Sequence, residues 1–302
     1  MIEINFVVPS WTDSFYLSAV YYAKWLDTAR YKIHISRSYK IGMLNVKLND
    51  MWNEFRRPSR AHVYILDTPQ YYNDLYRTVP LQKLDPKYVF VASSWNLEMA
   101  IQYFPRAGIV PRLVHPLYLL YEPLPYEKKE YDLAFVGGTH PRKSFREFMQ
   151  VCEELKLRCW WTGSYYKLSL YELIEKLGKT KFLWWLSKSE GFGLPLAEAQ
   201  TLGIPAICLR AHTSLDYCDT GYLEPSLWVE PTGEDVRELP FGRHKIWLFD
   251  YNEAKRTIKE ALSIGEEEYN RLSNKLREIW RKRIMFWAKG INDLFYEIAL
   301  KH

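Results

Sequence analysis

The stretch from Leu186 to Pro205 contains the residues best suited to chemistry. Glu190 precedes a turn made of Gly191, Phe192 and Gly193, and Leu194-Pro195 then opens a short apolar helix that carries Glu198. Pro195 suits the first helical position, where a missing N–H costs nothing. Gly203 suits the residue just past the helix end, and Pro205 prevents its continuation. The backbone N–H groups from Phe192 to Leu196 therefore lie at a helix N-terminus, which favours an anion such as phosphate. Gly191 and Gly193 let a ligand approach the backbone with no Cβ in the way. Glu190 before the turn and Glu198 one helical turn in supply carboxylates, which accept two hydrogen bonds at once and suit the vicinal hydroxyls of a sugar or ribose. Phosphate donors and hydroxyl acceptors within one turn describe a site for a nucleotide sugar.

The elements that must position this turn alternate along the chain. Ile2 to Val8 reads as a buried strand closed by Pro9-Ser10, and Ser14 to Asp27 as a helix with Asp13 or Ser14 as its cap. Strands are predicted at 32–36, 62–66 and 88–92, the last running through Ser93-Ser94-Trp95 into a helix, with another short strand at Leu113–Val114. Two prolines and clustered charges between Leu119 and Glu130 read as a linker. A second alternation follows, with strands at 131–136, 157–161, 182–186 and 206–209 and helices between them. Short strands alternating with helices point to parallel βαβ units. Residues 220–242 read as loop-rich, and helices resume at 252–263 and from Glu266 onward. The last helix combines an apolar stripe (Leu276, Ile279, Ile284, Trp287, Ile291, Leu294, Ile298) with Arg277, Arg281, Lys282 and Arg283. It reads as a packing helix with a solvated basic face; the alternative is contact with an anionic membrane surface.

Length and composition bound these readings. The 302 residues exceed one ordinary domain, and 48% hydrophobic with 25% charged residues excludes wholesale disorder. A net charge of +5 is too small for a protein that wraps a polyanion, and nucleic acid is not expected as a partner. Residues 1–125 hold 14 Lys and Arg against 10 Asp and Glu, so +4 of that charge lies in the first part. The four cysteines (Cys152, Cys159, Cys208, Cys218) form no C-x-x-C pair and read as thiols of a reducing compartment. His212 and Cys218 could begin a metal site, but nothing nearby completes it. No run of 18 apolar residues and no basic leader is present, so a cytoplasmic protein is expected, at most peripheral to a membrane.

The element from Glu190 to Glu198, E-G-F-G-L-P-L-A-E, resembles the E-x7-E element of the retaining glycosyltransferases of family 4. Arg142 and Lys143, after the strand that ends in Gly137-Gly138, are similar to that family's phosphate-binding basic pair, and Gly163 to the glycine that ends its next strand. The likeness is thinner in the first half: the loop from Pro9 to Asp13 lacks the family's glycine pair, and Tyr64-Ile65-Leu66-Asp67 lacks a histidine often found there.

The resemblance implies an α/β protein of GT-B architecture, two Rossmann-like domains facing across a cleft. Residues 1–118 would form the acceptor domain, 119–130 a linker, 131–275 the donor domain, and 276–302 a helix returning to the first domain. It implies transfer of a sugar, with retention, from a nucleotide-diphosphate sugar to a hydroxyl on a glycan, lipid or other acceptor. Glu190, Arg142 and Lys143 would act in catalysis. Gly137, Gly138, Gly163, Gly191, Phe192, Gly193, Leu194 and Glu198 would bind the donor, with Glu198 on the ribose. Trp11, Asp67 and His115 would face the acceptor, and His140 lies close enough to the basic pair to donate to phosphate. No cofactor and no metal are expected, since no D-x-D occurs. The alternatives are a sugar-nucleotide epimerase or hydrolase on the same fold, and a non-catalytic binding module.

Overall fold

The β-branched run at the N-terminus forms strand β1 (Ile2–Val7), the first element of a computed structural model that describes residues 1–11, 14–49, 60–66, 87–163, 168–239 and 242–301. Helix α1 (Ser14–Trp25) and strands β2 (Tyr31–Ser36), β3 (Leu44–Asn49), β4 (Val63–Leu66), β5 (Tyr88–Val91) and β6 (Gly108–Ile109) follow, with helix α2 (Ser94–Ala100) after β5. The strands make a six-stranded sheet in the order β2-β1-β3-β4-β5-β6. Every pairing in it is parallel.

Strand β3 is absent from the sequence reading. Leu44 alternates with polar residues through Asn49, which suggests a half-exposed segment, yet all six residues are buried. The polar side chains are satisfied inside: Asn45 accepts from Asn5 Nδ2 at 2.7 Å and donates to the carbonyls of Lys40 and Met43, each at 2.8 Å. The strand expected at Leu113–Val114 is not one. The chain leaves the sheet at Val110, whose amide still bonds the Val91 carbonyl, and Pro111 has no N–H to continue the ladder. Side chains of α1 take the carbonyls instead, Tyr22 Oη on Pro111 at 2.9 Å and Trp25 Nε1 on Val114 at 2.7 Å.

After the short helix α3 (Leu117–Leu120) the second alternation builds a parallel five-stranded sheet in the order β11-β10-β9-β7-β8. Its strands are β7 (Tyr131–Val136), β8 (Cys159–Thr162), β9 (Thr180–Trp185), β10 (Ala206–Leu209) and β11 (Trp228–Val229). Its helices are α4 (Phe145–Glu154), α5 (Leu170–Gly178), α6 (Leu194–Thr201) and α7 (Ser214–Tyr217). The stretch expected to be loop-rich, 220–242, instead contains β12 (Pro231–Leu239), which pairs with β13 (Gly242–Phe249) as an antiparallel hairpin. Thr232 to Asp235 are all exposed, so β12 has no apolar alternation to reveal it. Helices α8 (Tyr251–Leu262) and α9 (Glu266–Leu300) end the chain. Together these features are the α/β, two-sheet GT-B architecture.

The cysteines are a correction. Cys152–Cys159 and Cys208–Cys218 are disulfides with Cα–Cα separations of 6.2 and 6.6 Å, so no thiol is free and the argument from thiols to a reducing compartment falls. The spacings are legible only in three dimensions: one bridge ties α4 to the start of β8, the other β10 to the end of α7. No described helix is long and apolar enough to cross a membrane.

Helix α9 is 35 residues long and serves both sheets. Leu276, Trp280 and Ile284 sit in a core with Leu183, Leu196 and Leu202, whereas Ile291, Phe295 and Ile298 sit with Ile4, Phe6 and Tyr22. Of Arg277, Arg281, Lys282 and Arg283, the three arginines are held by other parts of the chain, while Lys282 remains exposed. Arg277 donates to the Tyr121 carbonyl and Arg281 to that of Leu119, both at 2.6 Å; Glu122 pairs with both arginines and Asp219 with Arg283. Phe295→Ala is expected to destabilise the protein by about 3–5 kcal/mol in denaturant unfolding, because a fully buried ring leaves a cavity in the first sheet's core.

Candidate functional site

The site lies at the carboxyl ends of β7 and β9, where ligands of open parallel sheets bind as a rule. The chain leaves β7 through Gly137, whose φ of +144° only glycine adopts readily. Gly137 N bonds the Thr162 carbonyl at 3.2 Å, which brings the ends of β7 and β8, and so Gly163, side by side. A single 3₁₀ turn, Pro141–Lys143, then carries the basic pair. His140 caps it, with Nδ1 accepting from Arg142 N at 3.3 Å. Burial holds the His140 imidazole below its ordinary pKa, and the charges of Arg142 and Lys143 add to the fall. Ser144 takes a left-handed φ of +54°, and its hydroxyl donates to the Leu186 carbonyl at 2.7 Å while accepting from Trp184 Nε1 at 2.9 Å.

This turn delivers the basic pair to the E-x7-E segment. Lys143 Nζ makes a close ion pair with Glu190 Oε2. Arg142 Nη1 lies 3.6 Å from the same oxygen and donates to the Ser189 carbonyl at 2.6 Å. Glu190 is 9% exposed, so its charge is sheltered from water and matched by two cations. Lys143 also stands 5.2 Å from the ring centroid of Trp185, a cation–π contact. Gly193, with φ +91°, begins α6 against that ring; a Cβ there would lie 2.5 Å from Trp185 Cζ2. At this helix end the amides of Leu196 and Ala197 already bond the Gly193 carbonyl at 3.0 and 3.2 Å. Phe192 and Leu194 are buried in the core beside the turn.

The first sheet closes over this segment. Asn96 Nδ2 donates to the Gly191 carbonyl at 3.3 Å, and the Ser94 hydroxyl to Asp216 at 2.6 Å. Thr213 Oγ1 bonds the carbonyls of Glu190 and Gly191 at 2.6 and 2.9 Å. Glu198 is 0% exposed and its Oε1 accepts from Tyr21 Oη of α1 at 3.0 Å. Burial pushes the Tyr21 phenol up, and the neighbouring Glu198 carboxylate raises it further.

Of the acceptor-side residues, Trp11 is 47% exposed and meets Tyr16 edge-on at 5.5 Å. His115 packs on Tyr21 with centroids 5.6 Å apart, and its Nδ1 accepts from Leu117 N at 3.2 Å. Burial lowers the His115 pKa, with Lys24 contributing. Asp67 lies outside the described residues.

Sequence reasoning missed Tyr21, Asn96, Trp185, Thr213 and Trp247, none of which stands in a motif. His212, read as the possible start of a metal site with Cys218, belongs elsewhere, since Cys218 is in a disulfide. His212 is buried between Trp95 and Trp247, with centroids 5.7 and 5.6 Å away, and its Nε2–H donates to the Ser187 carbonyl at 2.6 Å. The hairpin joins the same cluster, as Trp247 N bonds the Lys188 carbonyl at 2.8 Å. Among the described residues, no three or more His, Cys, Asp or Glu are grouped to hold a metal ion.

Comparisons place this architecture among glycosyltransferases. No family model matches the chain. In fold it is similar to a sucrose-phosphate synthase from Thermosynechococcus elongatus, with TM-score 0.67 at 11% identity over 100% of both chains. It is also similar to WaaG, a glycosyltransferase involved in lipopolysaccharide biosynthesis, with TM-score 0.61 at 11% identity over 97% of this chain and 99% of that one. In sequence it is 28% identical over 222 residues to "Putative glycosyltransferase 41" of the Sulfolobus islandicus filamentous virus (isolate Iceland/Hveragerdi), covering 68% of this chain and 62% of that protein. Further curated relatives at 24–27% identity, from this and Acidianus filamentous viruses, carry names of the same kind.

His212 gives the site a measurable signature. Burial lowers its pKa from 6.5 to about 3, with Lys143 and Arg142 adding to the fall. Between those values the unfolded chain binds a proton that the folded protein does not, so stability is full above pH 6.5 and falls as the pH drops toward 3. Unfolding free energy is expected to decline by up to about 1.4 kcal/mol per pH unit from this residue alone. His212→Gln should show a shallower slope in denaturant titrations across that range.

Proposed function

We propose that the chain is a retaining glycosyltransferase that uses a nucleotide-diphosphate sugar. The observation that carries this reading is the meeting of Lys143 and Arg142 with Glu190 at the strand ends, beside the glycine turn that opens α6. The sequence relatives support the enzyme class, and the fold supports a donor bound against the second sheet. As the bond from the anomeric carbon to the diphosphate breaks, negative charge grows on the leaving phosphate. Lys143, Arg142 and the backbone near Gly193-Leu194 stabilise it as donors, the two cations exchanging part of their pairing with Glu190 for the phosphate. The acceptor hydroxyl attacks the same face, the new glycosidic bond forms, and the hydroxyl proton passes to the departing phosphate oxygen. Glu190 lies against the transferred sugar and balances the positive charge at its anomeric carbon. Glu198 takes the ribose hydroxyls, and for this the Tyr21 hydroxyl must withdraw from its Oε1. No residue is assigned as a covalent nucleophile, and the reaction is proposed to need no metal. A hydroxyl-bearing glycan or lipid is the proposed acceptor class.

The test is a thermal-shift panel of UDP, GDP and ADP followed by transfer assays with the sugars of the nucleotide that binds. A ligand at 100 times its Kd should add about 2.7 kcal/mol of stability. Lys143→Ala should lower turnover about a hundredfold or more, the cost of one lost transition-state donor elsewhere, and Glu190→Gln, which removes the balancing carboxylate charge, should lower it as well. Unchanged nucleotide affinity in Lys143→Ala overturns the donor site. Complete turnover without acceptor identifies an epimerase or hydrolase instead. Activity should persist in EDTA, and the product should keep the donor's anomeric configuration by NMR.

A further inference from the structure

Trp185 ends β9 with its side chain 3% exposed, between Lys143 on one side and Gly193 on the other. Its indole nitrogen is buried and has no hydrogen-bond partner. A buried N–H left unpaired costs roughly 1–3 kcal/mol, and native proteins keep few such groups. The orientation of the ring is fixed by what surrounds it. A Cβ placed on Gly193 would lie 2.5 Å from Cζ2, 3.0 Å from Cη2 and 3.4 Å from Cε2, the carbon bonded to Nε1. The six-membered ring therefore packs on Gly193, and the indole edge that carries Nε1, one bond past Cε2, adjoins that contact at the start of α6, while the ring's π system meets the Lys143 ammonium 5.2 Å from its centroid. Indole is a donor only, so what it lacks is an acceptor. An acceptor reaching this edge would stand at a helix N-terminus and close to a lysine, an environment that favours a phosphate oxygen over a neutral one.

We infer that the Trp185 Nε1–H is a hydrogen-bond donor to a phosphate oxygen of the bound donor nucleotide, which makes Trp185 a specificity residue for a diphosphate. This rests on the donor-site reading given above. It also explains why two roles meet in one ring: the π system steadies the ammonium that binds the diphosphate, and the edge supplies a neutral donor beside it. Gly193 is then required twice, for its φ of +91° and because a Cβ would run into the indole ring and displace it.

The experiment uses inorganic pyrophosphate, which carries the diphosphate and no base, against the full chain. Trp185→Phe keeps an aromatic ring under Lys143 and removes only the N–H. It is expected to bind pyrophosphate about tenfold more weakly than the unaltered protein, the lower end for one hydrogen bond to a charged group. In the unaltered protein the indole proton resonance missing from Trp185→Phe should move downfield on titration, a readout that does not depend on the variant's affinity. Equal affinity in Trp185→Phe, or an indole resonance that stays in place, overturns the assignment. So does the absence of any pyrophosphate binding. Lys143→Ala separates this failure from a failure of the donor site. Loss of binding in Lys143→Ala with none in Trp185→Phe leaves the site standing and removes Trp185 from it; loss in neither removes both.

Discussion

Burial of the apolar stripe of α9 is the constraint on which both sheets depend. At 1.5 Å per residue, its 35 residues reach about 50 Å, enough to cross both sheets. Its first half completes a core that already mixes Tyr21, Ala92, Val114 and Tyr118 of the first part with Leu183, Phe192 and Leu196 of the second. The turn at Gly191–Gly193 is anchored in that core through Phe192, which stacks edge-on against Tyr217 at 4.7 Å. The geometry of the site is thus a consequence of packing between the sheets as much as of either sheet alone.

Within that frame the electrostatics are local. Glu190 would be costly to bury by itself, and Lys143 would be equally costly. Each is tolerated because the left-handed turn at Ser144 and the His140 cap hold the basic pair against the carboxylate. A ligand with negative charge can exchange for part of this pairing without leaving either group unmatched, which suits a site that binds and releases a diphosphate.

How much of this could be read from the chain follows from where each signal lies. Parallel strands announced themselves through continuous apolar runs such as Phe182–Leu186, which overlaps β9, and the glycine-proline punctuation located α6 to within a residue or two. Strand β3 was hidden because Asn45 finds its partners from Asn5 and from nearby backbone, so a polar residue sits where periodicity expects solvent. The hairpin was hidden for the opposite reason, since its first strand is exposed from Thr232 to Asp235 and only its second strand has a buried face, at Ile246. In the site, Glu190, Arg142 and Lys143 come together because motif residues follow strand ends, a rule of topology. Tyr21, Thr213 and Trp247 arrive through packing across distant segments, which spacing along the chain does not encode. The disulfides belong to the same class, since residues seven and ten apart become neighbours only when a helix turns back onto the sheet.

The clamp between α9 and the crossover has a kinematic consequence. The chain passes between the two sheets twice, once through Leu119–Glu122 and once along α9, and Arg277 and Arg281 fasten the two passages to each other. Two crossings pinned together act as one pivot, so relative motion of the sheets reduces to rotation about this point. Displacement then grows with distance from the pivot, and the bonds from Ser94 to Asp216 and from Asn96 to Gly191 are the ones such a rotation would work against. Rocking about that axis requires no unfolding of either sheet, but it must shear the core shared by Tyr21, Tyr118 and Phe192 as well as part these polar contacts.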